Sequence, residues 1–244
     1  MVILMTDIEE FQKIIDEGKK IVFFTGAGVS TDSGIPDFRS QDGLYNQSYK
    51  YSPETIISHS FFMNNPEEFY RFYRERMLVL DALPNSTHTF IAKCEAAGRS
   101  LGVVTQNIDG LHTAAGSRHV WELHGSVLRN YCMDCHAFYD AEYIKNSTGI
   151  PRCSKCGGIV KPDVVLYEEG LDDSVVSGAI HAISQADVLV VLGTSLVVYP
   201  AAGLIRYFKG KHLVLINRTA TSYDSQADLH IQDSFANVFP KIHI

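Results

Sequence analysis

No apolar run in this 244-residue chain approaches the ~20 residues that a membrane-spanning helix needs; the longest lies near Asp187 to Leu192. No candidate spanning segment is left. Cationic residues are also scarce: 21 Lys plus Arg stand against 28 Asp plus Glu, a formal net charge of −7. Phosphate backbones are bound by clustered Lys and Arg, and here they are scattered, so direct nucleic-acid binding is not expected, while a basic peptide partner stays compatible. Five cysteines are too few for a disulfide-stapled scaffold in a chain long enough to bury a full core. The opening MVILMTDIEEFQKIID lacks the positive n-region and small-residue cleavage site of a secretory signal. The expected compartment is therefore the cytoplasm, where reducing conditions disfavour disulfides and paired cysteines read as metal ligands.

What is present is the patterning of an α/β protein. Ile8, Phe11, Ile14 and Ile15 recur at helical spacing up to Gly18, and Ile21-Val22-Phe23-Phe24 follow as a buried strand. Further β-rich runs are expected at 101–105, 120–123, 188–192, 213–217 and 227–231, with helix patterns between several of them at 85–97, 174–185 and 201–208. That alternation predicts a parallel sheet covered by helices on both faces. Two stretches break it. Residues 43–83 have no strand pattern, and Asn65-Pro66 opens a helix running to Leu80, with Phe69, Phe72, Tyr73, Met77 and Leu80 on one face. Residues 127–161 bear cysteines and few apolar runs, which predicts an insertion held by something other than a hydrophobic core.

Within that second insertion, Cys132-x-x-Cys135 and Cys153-x-x-Cys156 are separated by 17 residues. Two thiolate knuckles at this spacing fit one tetrahedral zinc with no open position, a structural rather than a catalytic ion. Cys94, beside Ile91 on a helix pattern, reads as a buried small hydrophobe. After the first strand, Gly26-Ala27-Gly28 and the turn that follows could admit a pyrophosphate to the backbone or form a tight turn with no ligand; Thr31 stands where a third fingerprint glycine would be. Gln106-Asn107-Ile108-Asp109, His124, Gly193-Thr194-Ser195 and Asn217-Arg218 each follow a strand, so their polar groups converge on the carboxyl edge of the sheet, where open α/β folds bind ligands. Each alone is compatible with an ordinary turn, and a lone histidine with a structural one.

Taken in order, GAGVSTDSGIPDFRS, TQNIDGLH, ELHG, the two CxxC pairs, KPDVVLYEE, GTSLVVYP and INR resemble the sirtuins, NAD-dependent protein lysine deacylases, over residues 20–218, in the form of a bacterial-type single catalytic domain. The resemblance implies a Rossmann-like NAD-binding domain (1–42, 84–126 and 162–244) and a small domain made of a helical module (43–83) and a zinc-ribbon module (127–161). NAD would lie between them. Gly26, Ala27, Gly28, Ser30, Thr31, Phe38 and Arg39 would line the dinucleotide site. Gln106, Asn107, Ile108 and Asp109 would surround the ribose and nicotinamide, with Asp109 accepting from the carboxamide. Gly193, Thr194, Ser195, Asn217 and Arg218 would hold the phosphates and adenosine, and the turn through Asp233 would close over the adenine.

The acyl-lysine peptide would add as a strand beside Val164, Val165, Leu166 and Tyr167, with His124 as general base taking a proton from a ribose hydroxyl. Products would be nicotinamide, free lysine and an O-acyl-ADP-ribose. Tyr70 and Tyr73 would stand where succinyl- and malonyl-preferring sirtuins carry a Tyr-x-x-Arg pair, and the missing arginine implies a neutral acyl group. One departure is visible: Tyr167-Glu168-Glu169 stands where the family commonly has an aromatic residue, Gly and Glu. The same NAD site is also compatible with protein mono-ADP-ribosyl transfer, and a non-enzymatic NAD-sensing module is disfavoured by the presence of both His124 and Asp109.

Overall fold

The structure is a computed structural model that describes residues 6–38, 43 and 49–244. Its strands are β1 (Ile21–Thr25), β2 (Ser100–Thr105), β3 (Val120–Glu122), β4 (Gly125–Cys132), β5 (Phe138–Asp140), β6 (Val160–Val164), β7 (Val188–Leu192), β8 (His212–Ile216) and β9 (Leu229–Ile231). Six of them form a parallel sheet in the order β3-β2-β1-β7-β8-β9. The reversal of strand order at β1 and β7 opens a crevice at their carboxyl ends, the position at which such sheets bind ligands.

The central strands read as unbroken apolar runs because both faces are covered. Ile21 and Phe23 of β1 pack with Phe11, Ile14 and Ile15 of the Asp7–Glu17 helix and with Phe90, Ile91 and Cys94 of the Ser86–Ala96 helix. Val22 and Phe24 point the other way, onto Ala179, Ala182 and Ile183 of the Asp173–Gln185 helix and onto Ala201 and Leu204. Cys94 is buried, and burial pushes its thiol up to about 12, so it packs as an unreactive small side chain. The segment 201–208 expected as an α-helix is a 3-10 helix over Ala201–Tyr207.

The two insertions are not independent. β4, β5 and β6 form a small antiparallel sheet in the order β5-β4-β6. Val127, Cys132, Ile144, Cys153, Val160 and Val164 of that unit lie in one hydrophobic cluster with Ile56, Phe62, Phe69, Tyr70, Phe72 and Tyr73 of the helical segment. The expectation of a coreless zinc insertion is corrected here: each segment is too short in apolar runs to form a core alone, and the two pool their side chains.

The helix from Pro66 also departs from its expected course. It is α-helical to Phe72, then widens into a π turn over Tyr73–Met77 and stops before Leu80. A π turn inserts an extra residue and re-aims whatever follows, so Phe69 and Tyr73 stay stacked in the shared core while Arg76 and Met77 turn towards the crevice.

Candidate active site

At the carboxyl edge of the sheet lies a cleft of about 390 Å3. Its floor is built by packing two glycine turns against each other. Gly26 N–H donates to Leu192 O and Gly28 N–H to Gly193 O, both at 2.9 Å. A β-carbon on Gly26 would meet Gly193 O at 2.7 Å, and one on Gly28 would meet Gly193 Cα at 2.9 Å. Gly193 itself has φ +60. These glycines are thus required by turn-to-turn contact, whichever ligand the cleft receives, and that contact also thins the wall to bare backbone.

Ala27, Ser30, Thr31 and Phe38 line one side. Arg39 lies outside the described residues. From the end of β2, Gln106 Nε2 donates to Thr194 Oγ1 at 3.0 Å, and Asn217 Oδ1 accepts from Thr194 N–H at 3.0 Å, tying three strand ends together. Asn107 Nδ2 donates to Ser30 Oγ at 3.0 Å, and Ser30 Oγ donates to Asp109 Oδ2 at 2.6 Å. Asn107 Oδ1 is buried with no partner among the described residues, an acceptor left for a ligand N–H. Ile108, Ser195 and Arg218 also line the cleft, and Arg218 reaches Asp32 at 3.4 Å.

His124 follows β3, the end strand of the sheet, and lines the same cleft. Its Nδ1 lies 2.9 Å from Gln106 O. A carbonyl only accepts, so Nδ1 carries the proton and Nε2 keeps its lone pair. Burial lowers its pKa below the usual histidine value, partly offset by that hydrogen bond, so the ring is neutral at neutral pH. Gly125 follows with φ +73, and a β-carbon there would fall 1.9 Å from Asp163 O. Glycine is needed for β4 to cross β6 this closely. Val165 N–H then donates to His124 O at 3.0 Å, which sets the 164–167 segment along the cleft beside the histidine.

Three assigned residues are not at the cleft. Tyr70 and Tyr73 are fully buried in the shared core, with Tyr70 OH donating to Val160 O at 2.5 Å. Arg76, Met77 and Val79 line the wall instead. Asp233 faces away: its Oδ1 accepts from Ser234 N–H and Asn237 Nδ2 and starts the Phe235–Val238 helix, whose Phe235 reaches the cleft. Val198, Tyr199 and Pro200 also line the cleft without having been assigned; their signal was the GTSLVVYP block that contains them.

The cysteine cluster is set in turns of matching shape. Each CxxC is followed by a residue at positive φ, His136 at +56 and Gly157 at +80. Cys132 Sγ and Cys156 Sγ are 3.4 Å apart and Cys135 Sγ and Cys153 Sγ 3.5 Å. All four sulfurs lie within 4.8 Å of one another. A tetrahedron of thiolates at the ~2.3 Å zinc–sulfur distance has edges of about 3.8 Å, whereas a disulfide requires about 2.05 Å, so the set fits one zinc ion. Tyr139 OH donates to Cys153 Sγ at 3.1 Å and supports that thiolate from outside.

Behind the site, His88 and His112 meet at a tilt, with ring centroids 4.8 Å apart and planes 58° apart, and His112 Nε2 meets Thr25 Oγ1 at 2.9 Å. Burial drops their pKa values to about 4 and about 3. Between pH 6.5 and about 4, the unfolded chain takes up protons that the folded chain refuses. Stability is therefore full above pH 6.5 and falls with acid by up to about 1.4 kcal/mol per pH unit for each ring. The Asp172 carboxyl, held below the usual aspartate value by hydrogen bonds from Ser174 and Val175, titrates below this window. Urea unfolding is expected to show a loss of roughly 2–4 kcal/mol from pH 7 to pH 5, halved in His112→Gln; equal midpoints at the two pH values would contradict the neutral buried pair.

A model of the Sir2 family matches residues 26–200. A Clostridium acetobutylicum relative named NAD-dependent protein deacetylase is 59% identical over 98% of this chain and 99% of its own length. A Staphylococcus aureus relative of the same name is 50% identical over 95% and 96%. A solved Sir2 structure that holds a deacetylated p53 peptide and 3'-O-acetyl ADP-ribose superposes with a TM-score of 0.89 at 39% identity, covering 97% of each chain. A family model over most of the chain, and relatives and solved structures similar over nearly its whole length, leave one assignment: the chain belongs to the Sir2 family.

Proposed function

We propose that this chain is an NAD-dependent protein lysine deacetylase, transferring the acyl group of an acyl-lysine side chain to ADP-ribose with release of nicotinamide. The observation that carries the reading is His124, a neutral imidazole whose Nδ1–H is fixed on Gln106 O and whose Nε2 keeps its lone pair to accept a proton in the cleft. Bound NAD supplies an electrophilic ribose carbon with nicotinamide as its leaving group. Around it, Gly26, Gly28, Gly193, Thr194, Ser195, Asn217 and Arg218 would receive the phosphates and adenosine, and Asn107 and Asp109 the carboxamide. Fit is supported by the thin glycine wall and by the unpartnered Asn107 Oδ1.

In this reading His124 Nε2 takes a proton from a ribose hydroxyl, in a site held dry by Phe38 and the apolar wall of Ile57, Met77, Ile108 and Val127, which suits a neutral acyl group. The peptide would lie beside 164–167, and the division into an NAD-binding domain and a helical-plus-zinc domain follows the same reading. Cysteines left unbridged at metal-binding separations support a reducing, cytoplasmic setting; no helix among the described residues is long and apolar enough to cross a membrane. Incubation with NAD and an acetyl-lysine peptide tests the proposal by mass spectrometry. Nicotinamide with O-acetyl-ADP-ribose is the expected outcome, and ADP-ribose joined to protein would replace it with mono-ADP-ribosyl transfer.

A further inference from the structure

Glu168 has φ +75, a left-handed conformation that glycine adopts freely and other residues seldom do. What holds a glutamate there is a clasp. Its Oε2 accepts from Ser60 N–H at 2.8 Å and its Oε1 from Ser60 Oγ–H at 2.9 Å. Ser60 lies in the first turn of the His59–Asn64 helix, where N–H groups have no partner within the helix. The neighbouring N–H groups are also taken: His59 N–H donates to Tyr167 O at 2.9 Å, and Phe61 N–H to the capping Ser58 Oγ at 3.2 Å. On the other side Tyr167 N–H donates to Ile57 O at 3.0 Å.

Residues 167 and 168 are therefore stitched to the start of this helix by four hydrogen bonds. Two of them run along the backbone through Tyr167, and two run through the Glu168 carboxylate. Glu168 closes the same wall of the cleft that Val164 to Tyr167 form. Its oxygens are spent on Ser60, so it acts through the conformation of its own segment and has no part in proton transfer at His124.

We infer that Glu168 is a positioning residue for the acyl-lysine peptide: its clasp on Ser60 holds the 164–168 segment in the shape that receives the substrate backbone. The inference rests on the reading of this segment as the peptide edge. It separates two origins for the unusual φ. If the conformation alone mattered, glycine would serve as well as glutamate; if the clasp matters, glycine relieves the backbone and still loses the function.

The test uses the zinc-loaded enzyme and an acetyl-lysine peptide carrying a fluorophore. Glu168→Ala and Glu168→Gly are each expected to raise peptide KM about five-fold, the scale of a charge-assisted hydrogen-bond pair at a solvent-facing position, with kcat and the KM for NAD unchanged. Ser60→Ala removes one of the two bonds and is expected to give a smaller rise. Added to Glu168→Ala it should cost nothing more, because the clasp is already gone. Glu168→Gln, which keeps one carbonyl acceptor, should recover part of the affinity.

Fluorescence anisotropy of the same peptide gives Kd without turnover. A five-fold weaker Kd for both Glu168→Ala and Glu168→Gly supports the inference even if no peptide is deacetylated, an outcome that would sink the functional reading alone. Glu168→Gly with the Kd and KM of wild type would overturn it, whatever Glu168→Ala does, as would a fall in kcat and a rise in the KM for NAD that parallel the rise in peptide KM.

Discussion

Replacing His124 with alanine is expected to reduce turnover by about 100-fold or more while leaving a folded, zinc-containing protein that still binds NAD. The selectivity of that loss follows from how the residue is held. Among the described residues its side chain makes one hydrogen bond, Nδ1–H to Gln106 O, at the cleft. The bond that aligns the 164–167 segment, Val165 N–H to His124 O, belongs to the backbone and survives the substitution. Deletion therefore removes the proton acceptor and little else. Because burial lowers the pKa of this ring, the acid limb of the wild-type rate profile is expected below pH 6.5, with activity falling as Nε2 becomes protonated and can no longer accept. Retention of more than a tenth of wild-type deacetylation by His124→Ala, with thermal stability and NAD titration unchanged, would remove the histidine from the chemistry.

The parts of this architecture that are legible in the sequence are those governed by local rules. Strands buried on both faces must be apolar throughout, so β1 and β7 announce themselves, and the polar groups just beyond them mark the carboxyl edge where the cleft lies. Cysteine spacing speaks for itself because a metal dictates it. Elsewhere local rules mislead. Helical periodicity carries Phe69, Tyr73 and Met77 onto one face, yet Tyr70 is buried beside them and the π turn breaks the period after Phe72, turning Arg76 and Met77 to the cleft. Asp233 ends a strand as ligand-binding residues do, but its carboxylate is used at once by Ser234 and Asn237 to begin a helix. Glu168 stands where the resembled family commonly has glycine, which marks the left-handed position, but the Ser60 that stabilises a glutamate there is 108 residues away and leaves no local sign. The core shared by the two insertions is equally hidden: neither half is apolar enough to predict it, and only their juxtaposition makes it.

That shared core sets the expected consequence of losing the metal. Cys135→Ala is expected to abolish zinc binding, which in wild type should be one ion per chain, and to unfold more than the ribbon. Binding free energy at a structural zinc is folding free energy, about 10–16 kcal/mol in isolated zinc-finger peptides, and the sulfurs of Cys132 and Cys153 belong to side chains buried in the cluster with Phe69, Tyr70 and Tyr73. Three thiols without the ion would leave the ribbon's turns unsupported and remove one wall of the helical module's core. β6 leads directly into Val164 and the segment tied to His124, so the cleft loses its outer wall as well. Activity should fall to background although no group proposed for NAD or proton transfer has been touched. Hydrogen exchange locates the damage: in Cys135→Ala, or in wild type stripped by a chelator, protection is expected to vanish across 53–77 and 125–164 and to persist in β1, β7 and β8. Exchange confined to 125–164, with the helices from Pro53 to Met77 still protected, would show that the helical module holds together without the ribbon and that the common core does not couple them.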